Sequence, residues 1–233
     1  MEKTKKIGII VADDEEFRPL ADRARSGEYT ESSFLKRKIL EFRLSPSAKI
    51  AALHCGVGKV NAAAAAAHLA DSGCDMIFNY GLSGGISGIR RGELCLCDRF
   101  LEHDFDLTTM GYKPCEKPGQ SYIYRADKRL CGVVKSVMPN IKQGTAATGD
   151  RFVCDAALRN FLRDEFGAMC CDMETAAIAY VCEYAGIAFA SVRRISDDAG
   201  ESAPESYREM NTSGETVLTD FILECARLAA DSI

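Results

Sequence analysis

The sequence has 233 residues and a formal charge of −5, with 47% hydrophobic and 27% charged residues, 11 cysteines, 3 histidines and no tryptophan. These proportions are ordinary for a globular chain and exclude a disordered one. The acidity is mild and spread along the chain, which argues against nucleic acid or an anionic membrane as the main partner.

Short apolar runs alternate with longer helical segments. Residues 7–12 read as a buried strand and 15–25 as the helix after it. Residues 37–43 and 49–55 read as two strands around the Ser45-Pro46-Ser47 turn. The alanine-rich stretch 58–72 reads as a helix on propensity. Strands are expected over 75–80 and 93–98, a helix over 127–137, a strand over 142–148 and a helix over 155–166. A short strand over 168–173, a helix over 174–185, a strand over 187–195 and one long helix over 205–230 complete the order. Such alternation predicts an α/β fold around one mixed or largely parallel sheet, in one domain spanning 1–233. The basic clusters Lys36-Arg37-Lys38 and Arg90-Arg91 are short and read as solvated faces. Between His103 and Tyr124 apolar periodicity is sparse, as in loops that carry function.

The run at 7–12 is too short for the apolar core of a signal peptide and is followed at once by acids. No stretch approaches the ~20 apolar residues needed to cross a bilayer. A cytoplasmic location is expected. The cysteines have no metal-ligand spacing, with Cys95-x-Cys97, adjacent Cys170-Cys171 and no C-x-x-C pair, and the histidines form no H-E-x-x-H. Most cysteines are therefore expected to be small buried hydrophobes, and no metal site is expected.

In open α/β sheets ligands sit beyond the carboxyl ends of the strands. Gly56-Val57-Gly58-Lys59-Val60-Asn61 there is either a phosphate-binding loop or a tight turn; the third glycine of a dinucleotide loop is replaced by Asn61. Gly81-Leu82-Ser83-Gly84-Gly85 reads as a ligand loop whose glycines leave room for a substrate, or as a turn needing positive φ. At Asp172-Met173-Glu174 a carboxylate either complements the helix N-terminus or accepts hydrogen bonds from vicinal hydroxyls. At Arg193-Arg194-Ile195-Ser196-Asp197-Asp198 an aspartate is either paired to arginine or held protonated as a general acid.

Taken in order, the acidic cluster after the first strand, G-V-G-K-V-N-A, N-Y-G-L-S-G-G, H-D-F-D, T-G-D-R-F-V, D-M-E-T-A-A-I-A and R-R-I-S-D-D-A resemble the 5′-methylthioadenosine/S-adenosylhomocysteine nucleosidases of the nucleoside phosphorylase superfamily. The likeness runs from Ile7 to the last helix. It implies a three-layer α/β/α sandwich on a mixed central sheet, a homodimer, and hydrolysis of the N-glycosidic bond of an adenine nucleoside without a cofactor. By the same resemblance, Glu16 activates water, Asp197 protonates the purine at N7 and Arg193 helps to order the water. Met173 and Glu174 hold the ribose, Phe152 stacks on the base and the Val153 backbone hydrogen-bonds it. Val57 and Tyr207 border the 5′ group, and Leu107, Met110, Tyr112 and Pro118 close that pocket from the other subunit. Leu82, Asp172 and Ser196 complete the expected binding set.

The chemistry needs two carboxyl groups with separated pKa values, because base departure requires a proton donor and water a proton acceptor. Asp197 is expected to hold a proton and Glu16 to be ionised. Three positions depart from the family: Asp13 stands where a methionine is usual near the 5′ side, Leu82 where a serine is usual, and Asp172 where a glutamate is usual. Asp13 points to a nucleoside with a polar 5′ end, such as adenosine. The rival readings are a purine phosphorylase, a futalosine hydrolase and a catalytically quiet nucleoside-binding module. Four carboxylates in Asp13-Asp14-Glu15-Glu16, where phosphorylases carry a phosphate loop, oppose phosphate.

Overall fold

The computed structural model describes residues 4–211 and 216–233. Its elements run β1 (Lys5–Val11), α1 (Asp14–Arg25), β2 (Tyr29–Phe34), β3 (Arg37–Arg43), β4 (Ala48–His54), α2 (Lys59–Asp71), β5 (Met76–Gly85) and β6 (Leu94–Glu102). They continue with β7 (Ile123–Arg125), α3 (Lys128–Val137), β8 (Lys142–Thr148), α4 (Ala156–Phe166), β9 (Ala168–Asp172), α5 (Thr175–Ala185), β10 (Ala188–Asp197), α6 (Ala203–Asn211) and α7 (Thr216–Ser232). Helix ends follow local chemistry. Asp13 caps α1, accepting from Glu15 N at 2.8 Å, Asp155 caps α4 through Leu158 N at 2.8 Å, and Gly167 ends α4 in the left-handed region.

The strands form one mixed sheet in the order β10-β6-β8-β9-β5-β1-β4-β3-β2, with β7 on β6. β5 also pairs with β10 along nearly its whole length, and its last two residues pair with β9. The sheet therefore closes on itself through β5, β9, β8, β6 and β10. One face packs Phe17 and Leu20 of α1, Leu130 and Val134 of α3 and Ile222 and Ala226 of α7 against Ile7, Ile9 and Phe78. The other packs Ala62 and Ala66 of α2 and Ile178 and Cys182 of α5 against Ile10, Ile77 and Cys95. This is the expected three-layer arrangement on a mixed sheet.

Three local expectations change. Gly81–Gly85 is not a loop: it continues β5, buried apart from half-buried Gly84. It is a strand because β10 supplies a ladder as far as Gly84 and β9 takes over at Gly84 and Gly85. The unforeseen β2 is an exposed edge strand whose Tyr-Thr-Glu-Ser-Ser-Phe sequence has no apolar alternation. Its hairpin to β3 turns through Leu35 and Lys36 at φ 48° and 62°, residues that carry no turn signature. Of the helix expected over 205–230, the structure has α6 and α7, and residues 212–215 lie outside the described residues.

Candidate active site

The carboxyl ends of β1, β4, β8, β9 and β10 open on one cleft of about 830 Å³, mouth included, lined also by the second half of β5 and by Tyr207 of α6. It gathers Glu16, Val57, Leu82, Phe152, Val153, Asp172, Met173, Glu174, Arg193, Ser196, Asp197 and Tyr207.

Glu16 sits in the first turn of α1 and is 5% exposed. Its Oε1 accepts a hydrogen bond from Leu82 N at 2.9 Å. Leu82 thus serves through its backbone, and the hydroxyl in this stretch belongs to Ser83, buried and lining the cleft. Burial pushes the Glu16 carboxyl up to about 8, against the opposing pull of the Leu82 N–H and Arg193, with Glu174 and Asp13 adding repulsion. Desolvation thus outweighs the pull of the Leu82 N–H and of Arg193. A carboxyl poised near neutrality still serves as a base.

Asp172 and Glu174 stand in different surroundings. Asp172 receives Thr148 Oγ1 at 2.6 Å, the Thr175 hydroxyl, and the N–H groups of Glu174 and Thr175 at 3.3 and 3.2 Å. It also pairs with Arg193 Nη2 at 2.9 Å. Its oxygens are committed to the start of α5 and to the buried arginine, so Asp172 ties these elements together at the wall of the cleft. Glu174 faces the cleft with Oε1 on Gly58 N at 2.9 Å. That bond uses an N–H of the glycine turn, where Gly58 has φ 100°, so the turn positions a carboxylate and not a phosphate. Burial pushes the Glu174 carboxyl up to about 7, opposed chiefly by Arg193.

Arg193 is 2% exposed. Beyond Asp172 it is held by Asn79 Oδ1 at 2.8 Å and by the Thr175 hydroxyl; Ser191 donates to the same Asn79 oxygen at 3.1 Å. At the far wall, Asp197 Oδ2 accepts from Ser196 Oγ at 2.6 Å and Oδ1 from Ala199 N at 2.9 Å. Burial raises its pKa despite those two donors. This is the direction a proton donor needs.

The segment Arg151-Phe152-Val153 forms the outer wall, and Phe152 meets Tyr207 edge-on with centroids 5.7 Å apart. Asp150 anchors it, accepting from Lys59 N at 2.8 Å and donating its own N–H to Asp104 Oδ2 at 2.8 Å. Lys59 Nζ bridges Asp104 Oδ1 at 2.6 Å and Glu102 Oε2 at 3.0 Å. The His-Asp-Phe-Asp and Thr-Gly-Asp-Arg-Phe motifs are therefore one scaffold.

Leu107, Met110, Tyr112 and Pro118 are not brought to this cleft; Met110, Tyr112 and Pro118 are exposed in the segment after β6 and Leu107 is half-buried there. Ser83 and Gly84 line the cleft from the stretch read as a ligand loop and Arg151 from the Thr-Gly-Asp-Arg-Phe-Val motif, while Ala12 and Cys171, at the ends of buried strands, line it unforeseen. Of the four acids at 13–16, only Asp13 and Glu16 face the cleft, while the Asp14 side chain is 91% exposed and Glu15 pairs with Arg18 at 2.5 Å. The expected repulsion of phosphate rests on two carboxyls instead of four.

The family model described as the phosphorylase superfamily matches residues 6–227. The chain is 33% identical over 226 residues to a 5′-methylthioadenosine/S-adenosylhomocysteine nucleosidase of Geobacillus sp. strain WCH70, covering 94% of this chain and 96% of that one. It is 27% identical over 230 residues to an aminodeoxyfutalosine nucleosidase of Campylobacter jejuni, covering 96% and 99%. The structure superimposes with a TM-score of 0.88 on S-adenosylhomocysteine nucleosidase of Streptococcus pyogenes in complex with 5-methylthiotubericidin, at 28% identity over 95% of this chain and 96% of the other.

Proposed function

The chain belongs to the phosphorylase superfamily and, within it, to the 5′-methylthioadenosine/S-adenosylhomocysteine nucleosidases, and from that premise we propose how its cleft releases the base. The protein is an N-ribosyl hydrolase: water adds to C1′ of an adenine nucleoside as the C1′–N9 bond breaks, giving adenine and a 5-substituted ribose. The bond's electron pair leaves with the base.

Asp197 delivers a proton to the departing purine at N7, and Glu16 takes one from the attacking water. As positive charge builds on the sugar, it draws Glu16 and Glu174 toward their ionised forms, so the carboxyls that repel one another in the empty site stabilise the transition state. Glu174 and Met173 hold the ribose, Phe152 stacks on the base, and the Val153 backbone bonds it. Val57 and Tyr207 border the 5′ substituent. Arg193 keeps Glu16 and Glu174 in place. No cofactor enters the scheme, and 1–233 works as one unit.

The working form is a homodimer in which Leu107, Met110, Tyr112 and Pro118 of a second copy close the 5′ end; exposure of Met110 at 69% and Tyr112 at 36% supports this. Among the described residues no helix is long and apolar enough to cross a membrane, in keeping with a cytoplasmic role in methionine salvage and with a small-molecule partner.

The observation that carries the reading is one cleft holding Glu16, Glu174, Arg193 and Asp197 together. Chromatography of free purine from methylthioadenosine, S-adenosylhomocysteine, adenosine and inosine, with and without phosphate, tests it. Adenine released at equal rates without phosphate is expected. A strict need for phosphate makes the protein a phosphorylase, and release from no substrate makes it a binding module.

A further inference from the structure

Outside the cleft, two strands bring four sulfur atoms together. Cys95 and Cys97 lie on one face of β6 and Cys170 on β9, all fully buried, with their Sγ atoms within 4.8 Å of one another. Cys97 Sγ is 3.7 Å from Cys170 Sγ. The fourth sulfur is Met169 Sδ, 3.4 Å from Cys95 Sγ. Neighbouring residues of a regular strand point to opposite faces, so Met169 and Cys170 share one only because the strand is irregular. Thr145 pairs with Ala168 but Ala146 with Cys170, leaving Met169 as an extra residue, and such a bulge re-aims side chains. Gly144 on β8, between β6 and β9, leaves the space they fill: a Cβ there would lie 2.8 Å from Met169 Cβ.

We propose that Cys95, Cys97, Cys170 and Met169 form a binding site for one thiophilic d10 cation, Cu⁺ or Zn²⁺. Metal–sulfur bonds of about 2.3 Å in a tetrahedron place the sulfurs about 3.8 Å apart, close to the contacts already present. Three thiolates and a thioether are the soft donor set that selects these ions. Each Sγ–metal bond forms as the S–H proton leaves to solvent, and no electron moves. Arg193 pairs across the β6–β10 ladder with Cys95. Entry is past Met169, which is half-buried while the thiols are closed off; an unbranched thioether moves aside easily. Sequence spacing does not show the site, because its ligands come from two strands and a bulge.

The reduced chain carrying Cys154→Ser, which removes the exposed thiol, is titrated anaerobically with Co²⁺ as a reporter for Zn²⁺, and separately with Cu⁺ against a competing chelator. One equivalent per chain is expected after desalting, with a thiolate-to-cobalt charge-transfer band in the Co²⁺ arm if the site takes Zn²⁺. Cys170→Ser and Cys97→Ser are expected to lower affinity at least tenfold, with circular dichroism and base release reporting an intact fold. Should serine prevent folding, Cys170→Ala and the volume-conserving Met169→Leu replace it, the latter weakening Cu⁺ binding about tenfold. A folded chain that retains neither cation overturns the proposal, as does a bound equivalent that survives loss of Cys170.

Discussion

Glu16 and Arg193 both crowd the bare Cα of Gly81: a methyl group there would come within 2.7 Å of Glu16 Oε2 and 2.6 Å of Arg193 Nη1. Residue 81 thus sets the approach of the carboxyl to its nearest cation. Gly81→Ala is expected to force one of them aside, cutting base release and costing about 1–3 kcal/mol by overpacking. At about 2–4 °C per kcal/mol for a chain of this size, thermal unfolding reads that cost. Unchanged turnover with an unchanged Tm would mean that neither group needs this contact.

The raised Glu16 pKa fixes a pH dependence. If the base must be ionised, kcat/KM rises with pH through a limb near 8 instead of near the ordinary carboxylate value of 4.5. The same shift acts on stability. A carboxyl whose folded pKa lies above its unfolded one binds more protons when folded, so its contribution is full below about 4.5 and is lost as pH rises through about 8. Glu16→Gln keeps an acceptor for Leu82 N and removes this loss. Its Tm relative to the parent is expected to climb between pH 5 and 8, while hydrolysis disappears. A Tm difference flat across that range contradicts the burial-driven shift.

Asp197→Asn keeps the shape of the far wall and removes the proton. Turnover is expected to fall about 10²–10⁴-fold with KM little changed. Ser196→Ala removes a donor that favours the carboxylate, so the limb of the rate profile set by Asp197 is expected to move to higher pH. A downward shift would assign that limb to another group.

Asp13 faces the cleft while its Oδ1 takes both Glu15 N at 2.8 Å and Asn211 Nδ2 at 3.1 Å. An anionic acceptor there favours a 5′ group that donates a hydrogen bond. Asp13→Asn, which preserves the helix cap, is expected to lower kcat/KM for adenosine relative to 5′-deoxyadenosine by about tenfold or more, the worth of a hydrogen bond to a charged group. Equal losses for both nucleosides would place Asp13 away from the 5′ oxygen.

Arg193 is the cation on which Asp172 and Glu174 depend, Asp172 at 2.9 Å and Glu174 at 4.0 Å. Arg193→Met leaves buried carboxylates uncompensated and is expected to destabilise the fold by about 3–5 kcal/mol at neutral pH, less in acid, where Glu174, pushed up to about 7 by burial, is protonated. Denaturant unfolding at pH 5 and pH 7.5 measures the difference.

What the sequence by itself determined is local and ordered along the chain. Apolar runs marked the buried strands, alanine marked helix α2, and charges placed just after strands singled out the segments 172–174 and 193–198, because an open α/β sheet exposes those ends to its ligand; within them and the acidic cluster at 13–16 the family resemblance picked Glu16, Glu174 and Asp197. Only the tertiary structure decided matters that depend on neighbours distant in sequence. Gly81–Gly85 looks like a loop until β10 and β9 supply its partners. Asp172 and Glu174, two residues apart, differ in their surroundings: Thr148, Thr175 and Arg193 surround the first and Gly58 meets the second. Glu16 looks like an exposed acid among acids until burial beside β5 raises its pKa. Residue type and spacing specify backbone geometry, whereas desolvation and hydrogen-bond saturation exist only once distant segments have packed together.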